Sequence, residues 1–157
     1  MNNKILISAC LLGEKVRYDG AGSLLDHPLI LKWQAENRLV PICPEVAGGL
    51  PIPRAPSEII NHSATIQVIN SKDSDVTQHF IKGAQAALQL AKKHHCIAAI
   101  LTENSPSCGS QMIYDGSFSG TKKQGAGITT TLLRQHGITV FNQYQLEQLA
   151  RKFPEFA

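Results

Sequence analysis

Three of the four cysteines, Cys10, Cys43 and Cys108, each stand where an apolar run meets a turn. Cys10 ends KILISAC, Cys43 lies within LVPICPE, and Cys108 closes IAAILTENSPSC just before Gly109. Thiolates gathered from several strand ends would make one metal or cluster site. The flanking residues suit such a site, for Pro44 and Glu45 follow Cys43, and Ser105, Pro106, Ser107 and Gly109 enclose Cys108. Small residues and open backbone N–H groups tolerate a charged sulfur and a bulky inorganic centre. The three cysteines are far apart and form no CxxC pair, which argues against structural zinc with its paired ligands. A [4Fe-4S] cluster with one iron left open is compatible with three soft ligands, although spacing alone does not name the metal. Cys96 reads as a small apolar filler, because free cysteine is among the most buried residue types.

These cysteines need strands to carry them. Lys4 to Ala9 is a continuous apolar run that predicts a buried strand. A short helix is expected near Asp26-His27-Pro28, with Asp26 as its cap, and a second strand over Leu39 to Cys43. Gly48 to Pro56 contains Pro51, Pro53 and Pro56 and must be an ordered loop. Ala64 to Asn70 predicts an edge strand, and Asp75 with Gln78 has the spacing of a capping box. Val76, Phe80, Ala84, Ala87, Leu88 and Ala91 recur at helical spacing. Ile97 to Thr102 predicts another buried strand, followed by a turn-rich segment from Ser105 to Gly125. Ile128, Leu132 and Leu133 mark a helix that Gly137 ends in the left-handed conformation. Ile138 to Phe141 makes a last strand, and Leu146, Leu149, Ala150 and Phe153 a final helix. The alternation predicts an α/β fold: one domain over residues 1–157 with a mainly parallel sheet flanked by helices, Rossmann-like and three-layered. Ligands of such sheets bind beyond the carboxyl ends of the strands, where the three cysteines fall.

A chain of 157 residues is long enough for one sizeable core. Hydrophobic residues at 43% and charged residues at 17% exclude a disordered chain. The net charge of +3 is spread out apart from Lys92-Lys93 and Lys122-Lys123. That pattern favours a small-molecule ligand over nucleic acid, which attracts concentrated basic stripes. No run reaches the ~18 apolar residues of a membrane span, and KILISACLL lacks a signal-peptide cleavage pattern, so a cytoplasmic location is expected. Reducing conditions there disfavour structural disulfides and leave metal binding, catalysis or burial to explain the cysteines.

Three stretches carry a family resemblance: CLLGEKVRYDG from Cys10, CPEVAGGLPIPRAPSEI from Cys43, and ENSPSCGSQMIYDGSFSGTKKQGAGI from Glu103. In order and together spanning most of the chain to Ile128, they resemble a bacterial family long known as a domain of unknown function, to which the thiouracil desulfurases belong. The resemblance implies a [4Fe-4S] cluster held by Cys10, Cys43 and Cys108, with the fourth iron free for the sulfur of a thiolated nucleobase. It also matches Glu45 to the family's acidic residue beside the cluster and implicates a serine of the SPSC motif, either Ser105 or Ser107. Cys96 matches no motif.

The chemistry implied is non-redox removal of sulfur from a base such as 2-thiouracil. The open iron would act as Lewis acid toward the thiocarbonyl, Glu45 would activate water, and Ser105 or Ser107 would hold substrate or relay a proton. Each of these residues has a plainer reading. Glu45 could serve the first turn of a helix or pair with Arg54. Arg54 could bind a base carbonyl or pair with Glu58. Asp19 and Asp115 are turn formers first and substrate contacts second, and Tyr18 and Tyr114 either stack a pyrimidine or pack over those turns. Two other functions stand beside the desulfurase. One is a sulfur carrier whose cluster accepts or donates sulfide without hydrolysis. The other is a cysteine-nucleophile or zinc enzyme, weakened by the lack of a histidine near the motif cysteines.

Overall fold

The computed structural model describes residues 2–62 and 65–157. Its elements in order are β1 (Lys4–Ser8), α1 (Pro28–Ala35), β2 (Leu39–Ile42), α2 (Pro44–Ala47), β3 (Ser57–His62), β4 (Thr65–Asn70) and α3 (Thr77–Lys93). There follow β5 (Cys96–Ile100), β6 (Met112–Tyr114), β7 (Lys122–Gln124), α4 (Ile128–Gln135), β8 (Thr139–Phe141) and α5 (Leu146–Lys152). Four of the strands form a sheet in the order β2-β1-β5-β8, parallel throughout.

The uninterrupted apolar character of β1 follows from burial on both faces. Ile5 and Ile7, with Ala98, Ile100 and Phe141, face a layer that includes Trp33 of α1 and Leu146 and Leu149 of α5. Leu6, with Val40, Ala99 and Val140, faces Ala87, Leu88 and Ala91 of α3 and Leu133 of α4. The expected three-layer α/β arrangement is therefore present. The chain runs from β1 to β2 on one side and then crosses to β5 on the other. That reversal opens a crevice beyond the carboxyl ends of β1 and β5.

The apolar stripe of α3 is buried at every position named from its spacing. Helix starts differ from expectation. His27, not Asp26, caps α1, its Nδ1 accepting from the Leu29 N–H at 3.0 Å. Asp75 does not form a capping box with Gln78; its Oδ1 accepts from the N–H of Thr77 at 2.9 Å, one residue earlier. Gly137 follows α4 with φ +80°, as its position suggested.

The expected edge strand is β4, but it belongs to a separate antiparallel hairpin with β3, paired from Ser57↔Asn70 to His62↔Thr65; Ala64 lies outside the described residues. The segment from Ser105 to Gly125 contains a second hairpin, β6–β7. Neither β3 nor β7 carries a readable strand signal: SEIINH mixes polar and apolar residues, and KKQ pairs through its backbone with exposed or half-buried side chains.

Candidate metal centre and active site

Each of the three cysteines reaches the crevice from a different element. Cys10 follows β1 in a tight turn over Ala9–Leu12 that Gly13 closes at φ +91°. Ser23 N–H and Gly13 N–H both donate to the Cys10 carbonyl, at 2.8 and 3.1 Å, and fix its backbone. Cys43 is the first residue past β2, still extended, and α2 starts at Pro44 behind it. Cys108 lies in the loop after β5 and is buried.

That loop is built by two acceptors. Ser105 Oγ accepts from the N–H groups of Ser107 and Cys108, at 3.0 and 3.1 Å. Glu103 accepts from Ser110 N–H at 2.6 Å, Gln111 N–H at 3.2 Å and Asn142 Nδ2 at 3.0 Å. Burial pushes the Glu103 carboxyl up, but these donors outweigh it and hold it below the usual carboxylate value.

Glu45 sits in the first turn of α2, with its side chain 17% exposed and its carboxylate shared between two donors. Arg54 Nε donates to Oε1 at 3.1 Å and Ser105 Oγ to Oε2 at 3.4 Å. Arg54 is itself locked, its other nitrogens donating to the carbonyls of Val16 at 3.0 Å and Pro51 at 3.2 Å. Of its two readings as an ion pair, Arg54 takes Glu45 and not Glu58. The Glu58 carboxylate is buried and accepts from Gly116 and Phe118 N–H instead.

Cys10, Cys43, Cys108, Glu45, Arg54 and Ser105 line one cavity of about 770 Å³. Tyr18 and Tyr114 line it too, and Tyr144, which carries no motif signal in the sequence, stands at its edge and is strongly exposed. Three other candidates lie elsewhere. Ser107 is buried and its hydroxyl bonds Thr129 Oγ1 at 2.7 Å. Asp19 takes the Ala21 N–H and pairs with Arg17 at 3.3 Å. Asp115 takes the N–H and hydroxyl of Ser117. Both aspartates hold turns outside the cavity lining. Cys96 starts β5, opposite Lys4 and at the other end of the sheet.

The three cavity thiols are poor acids on their own. Burial pushes Cys108 up to about 12, and it raises Cys10 and Cys43 as well. The Glu45 carboxylate acts in the same direction on all three sulfurs, which places it within electrostatic reach of each. Thiols of this kind lose their protons to a metal, since a coordinating thiol is deprotonated outright. Among the described residues no group of three or more His, Cys, Asp or Glu side chains is set to hold a single metal ion. A multi-iron cluster is larger than an ion and spreads its thiolate ligands apart, and an all-thiol set is the donor set it takes. The residues present fit such a cluster.

Sequence reading missed three contributors: Ser8 and Thr102, whose hydroxyls face the cysteine sulfurs, and Glu103, which orders the Cys108 loop. Glu103 opens the ENSPSC motif, so a signal for it was present. Ser8 and Thr102 are signalled only by their place at strand ends.

Three comparisons bear on this site. The family model described as 2-thiouracil desulfurase matches residues 5–145. The uncharacterized protein YbbK of Bacillus subtilis (strain 168) is 40% identical over 151 residues, covering 92% of this chain and 99% of its own. The solved structure of the [4Fe-4S]-dependent thiouracil desulfidase TudS has 45% sequence identity and a TM-score of 0.92, over 98% of this chain and 99% of that one.

Proposed function

This chain belongs to the 2-thiouracil desulfurase family, and on that premise we propose that it is a [4Fe-4S]-dependent enzyme removing sulfur from thiolated nucleobases such as 2-thiouracil. The observation that carries the reading is the convergence of Cys10, Cys43 and Cys108 on one cavity with Glu45 and Ser105. These three cysteines would hold the cluster and leave one iron without a protein ligand. When bound, the cluster supplies Lewis acidity toward the thiocarbonyl sulfur, making the ring carbon more electrophilic.

The remaining steps fall to the side chains. Glu45 takes a proton from water as the oxygen attacks the ring carbon. Its orientation is set by Arg54 on one carboxylate oxygen and by the Ser105 hydroxyl on the other. The carbon–sulfur bond breaks, the oxygen of water stays on the ring carbon, and both protons of water leave with the sulfur as hydrogen sulfide, the one taken by Glu45 being returned. No electrons are gained or lost overall. Ser105, already in contact with Glu45, is the proton relay of the SPSC motif, while Ser107 is engaged by Thr129. Tyr18 and Tyr114 supply aromatic faces for the pyrimidine. We place the reaction in the cytoplasm, where four free cysteines stay reduced; among the described residues no helix is long and apolar enough to cross a membrane.

Anaerobic reconstitution with iron and sulfide, followed by 2-thiouracil, tests the reading. Many uracil and sulfide molecules per protein chain are expected. A stable cluster with no turnover would favour a sulfur carrier, and bound zinc without a cluster would contradict both.

A further inference from the structure

Two hydroxyls that the desulfuration steps do not use stand against two of the three cavity thiols. Thr102 Oγ1, just past the end of β5, lies 3.1 Å from Cys10 Sγ. Ser8, the last residue of β1 and buried, donates to Cys108 Sγ at 3.8 Å. The Thr102 N–H donates to Ser8 Oγ at 3.0 Å. That bond occupies a lone pair of the serine and leaves its proton for the sulfur. A metal-bound thiolate carries no proton, so whenever Cys10 is a ligand the Thr102 hydroxyl must be the donor of their contact. Cys43 differs; its sulfur lies 3.8 Å from the Val16 carbonyl, an acceptor and not a hydroxyl donor.

Resting on the cluster reading above, we propose that Thr102 and Ser8 are positioning residues that donate hydrogen bonds to the Cys10 and Cys108 thiolates and lower the electron density those sulfurs give to iron. Hydrogen bonds to ligand sulfur are one of the protein's controls over cluster potential, because they stabilise the more negative, reduced state. Weaker donation from two thiolates also keeps the open iron a better Lewis acid for thiocarbonyl sulfur. The pair sits at the carboxyl ends of the two central strands, where the strand order reverses. One inter-strand link thus sets both contacts.

The test uses reconstituted holoprotein as wild type, Thr102→Val, Thr102→Ser and Ser8→Ala. Valine matches threonine in shape and keeps the N–H that Ser8 accepts, so Thr102→Val removes the hydroxyl alone. Two readouts apart from turnover are the cluster midpoint potential, from a redox titration followed by electron paramagnetic resonance, and the anaerobic rate of iron release to a chelator. Thr102→Val is expected to titrate at a more negative potential and to release iron roughly 10-fold faster. Thr102→Ser should restore both values, and Ser8→Ala should shift them in the valine direction. If Thr102→Val does not fold, the Ser8→Ala shift decides alone. Wild-type potentials in both Thr102→Val and Ser8→Ala would overturn the inference while leaving the cluster reading intact. A wild-type protein that assembles no four-iron cluster would overturn that reading, and this inference with it.

Discussion

Glu45 is held by two different donors, and its substitution separates chemistry from cluster binding. Glu45→Gln keeps the size and one acceptor for Arg54 but cannot take the proton of water. It is expected to lower kcat by roughly 10²- to 10⁴-fold with iron content per chain unchanged, read by iron assay beside sulfide release. Ser107 and Ser105 divide in the same experiment. Ser107→Ala removes a buried hydroxyl that bonds Thr129 and also lies beside the Cys108 thiol; it should cost about 1 kcal/mol of stability, seen in the urea midpoint, with kcat falling far less than in Ser105→Ala. Ser105→Ala strips the acceptor from two loop N–H groups and the donor from Glu45, so iron content and kcat should fall together. Cys96→Ser should bind iron as wild type does, whereas serine at Cys10, Cys43 or Cys108 should not. At this scale the motifs singled out the three thiols, Glu45, Arg54 and a serine of SPSC, and the structure brings the thiols, Glu45, Arg54 and Ser105 to one cavity. Ser105 could not be divided from Ser107, since which hydroxyl meets Glu45 depends on how the loop folds around Glu103. Ser8 and Thr102 stayed hidden because a hydroxyl at a strand end has many ordinary uses.

Helix α2 presents Glu45 and follows Cys43, and its place depends on a close crossing with α3. A Cβ at Gly83 would collide with the Pro44 carbonyl, and one at Gly48 with the His79 carbonyl. Alanine in a helix interior ordinarily gains up to about 1 kcal/mol over glycine. Here the collision is with backbone, which cannot swing aside, so overpacking of about 1–3 kcal/mol wins. Gly83→Ala should therefore lower the urea midpoint and reduce cluster incorporation, because α2 must move to admit the methyl group. The loop after β5 gives a pH test. The Glu103 carboxyl lies below its ordinary value of 4.5 in the folded state. Its stabilisation is complete above that ordinary value and is lost as pH falls through the lower, folded one. Glu103→Gln should flatten this acid loss, so its urea midpoint falls less than that of wild type between neutral pH and the region below 4.5. Elements with long apolar patterns, such as β1, β5 and α3, were legible from sequence. The hairpin β3–β4 was only half legible and β6–β7 not at all, because pairing partners made of short, mixed or charged segments show no period of their own.

The parallel four-stranded sheet makes a site at one end and a plain core at the other. Cys10, Cys43 and Cys108 leave the carboxyl ends of strands and loops that follow them, while Cys96 enters β5 at the opposite end. The reversal of strand order between β1 and β5 opens the crevice, and helix α2 after β2 and the loop after β5 bring Glu45 and Ser105 to it. This much of the architecture followed from alternating apolar strands and helices. The size of the cavity did not, since it arises from loops that sequence periodicity does not describe, and the pairing of Arg54 with Glu45 was one of two partners the sequence offered. The central claim is that this cavity replaces sulfur by water-derived oxygen without redox change. Turnover of 2-thiouracil in ¹⁸O-labelled water, under strict anaerobiosis and with no reductant, tests it most directly. Uracil carrying ¹⁸O at the former thiocarbonyl position is expected, with one sulfide released per uracil. Unlabelled uracil, or turnover that starts only when electrons are supplied, would contradict it.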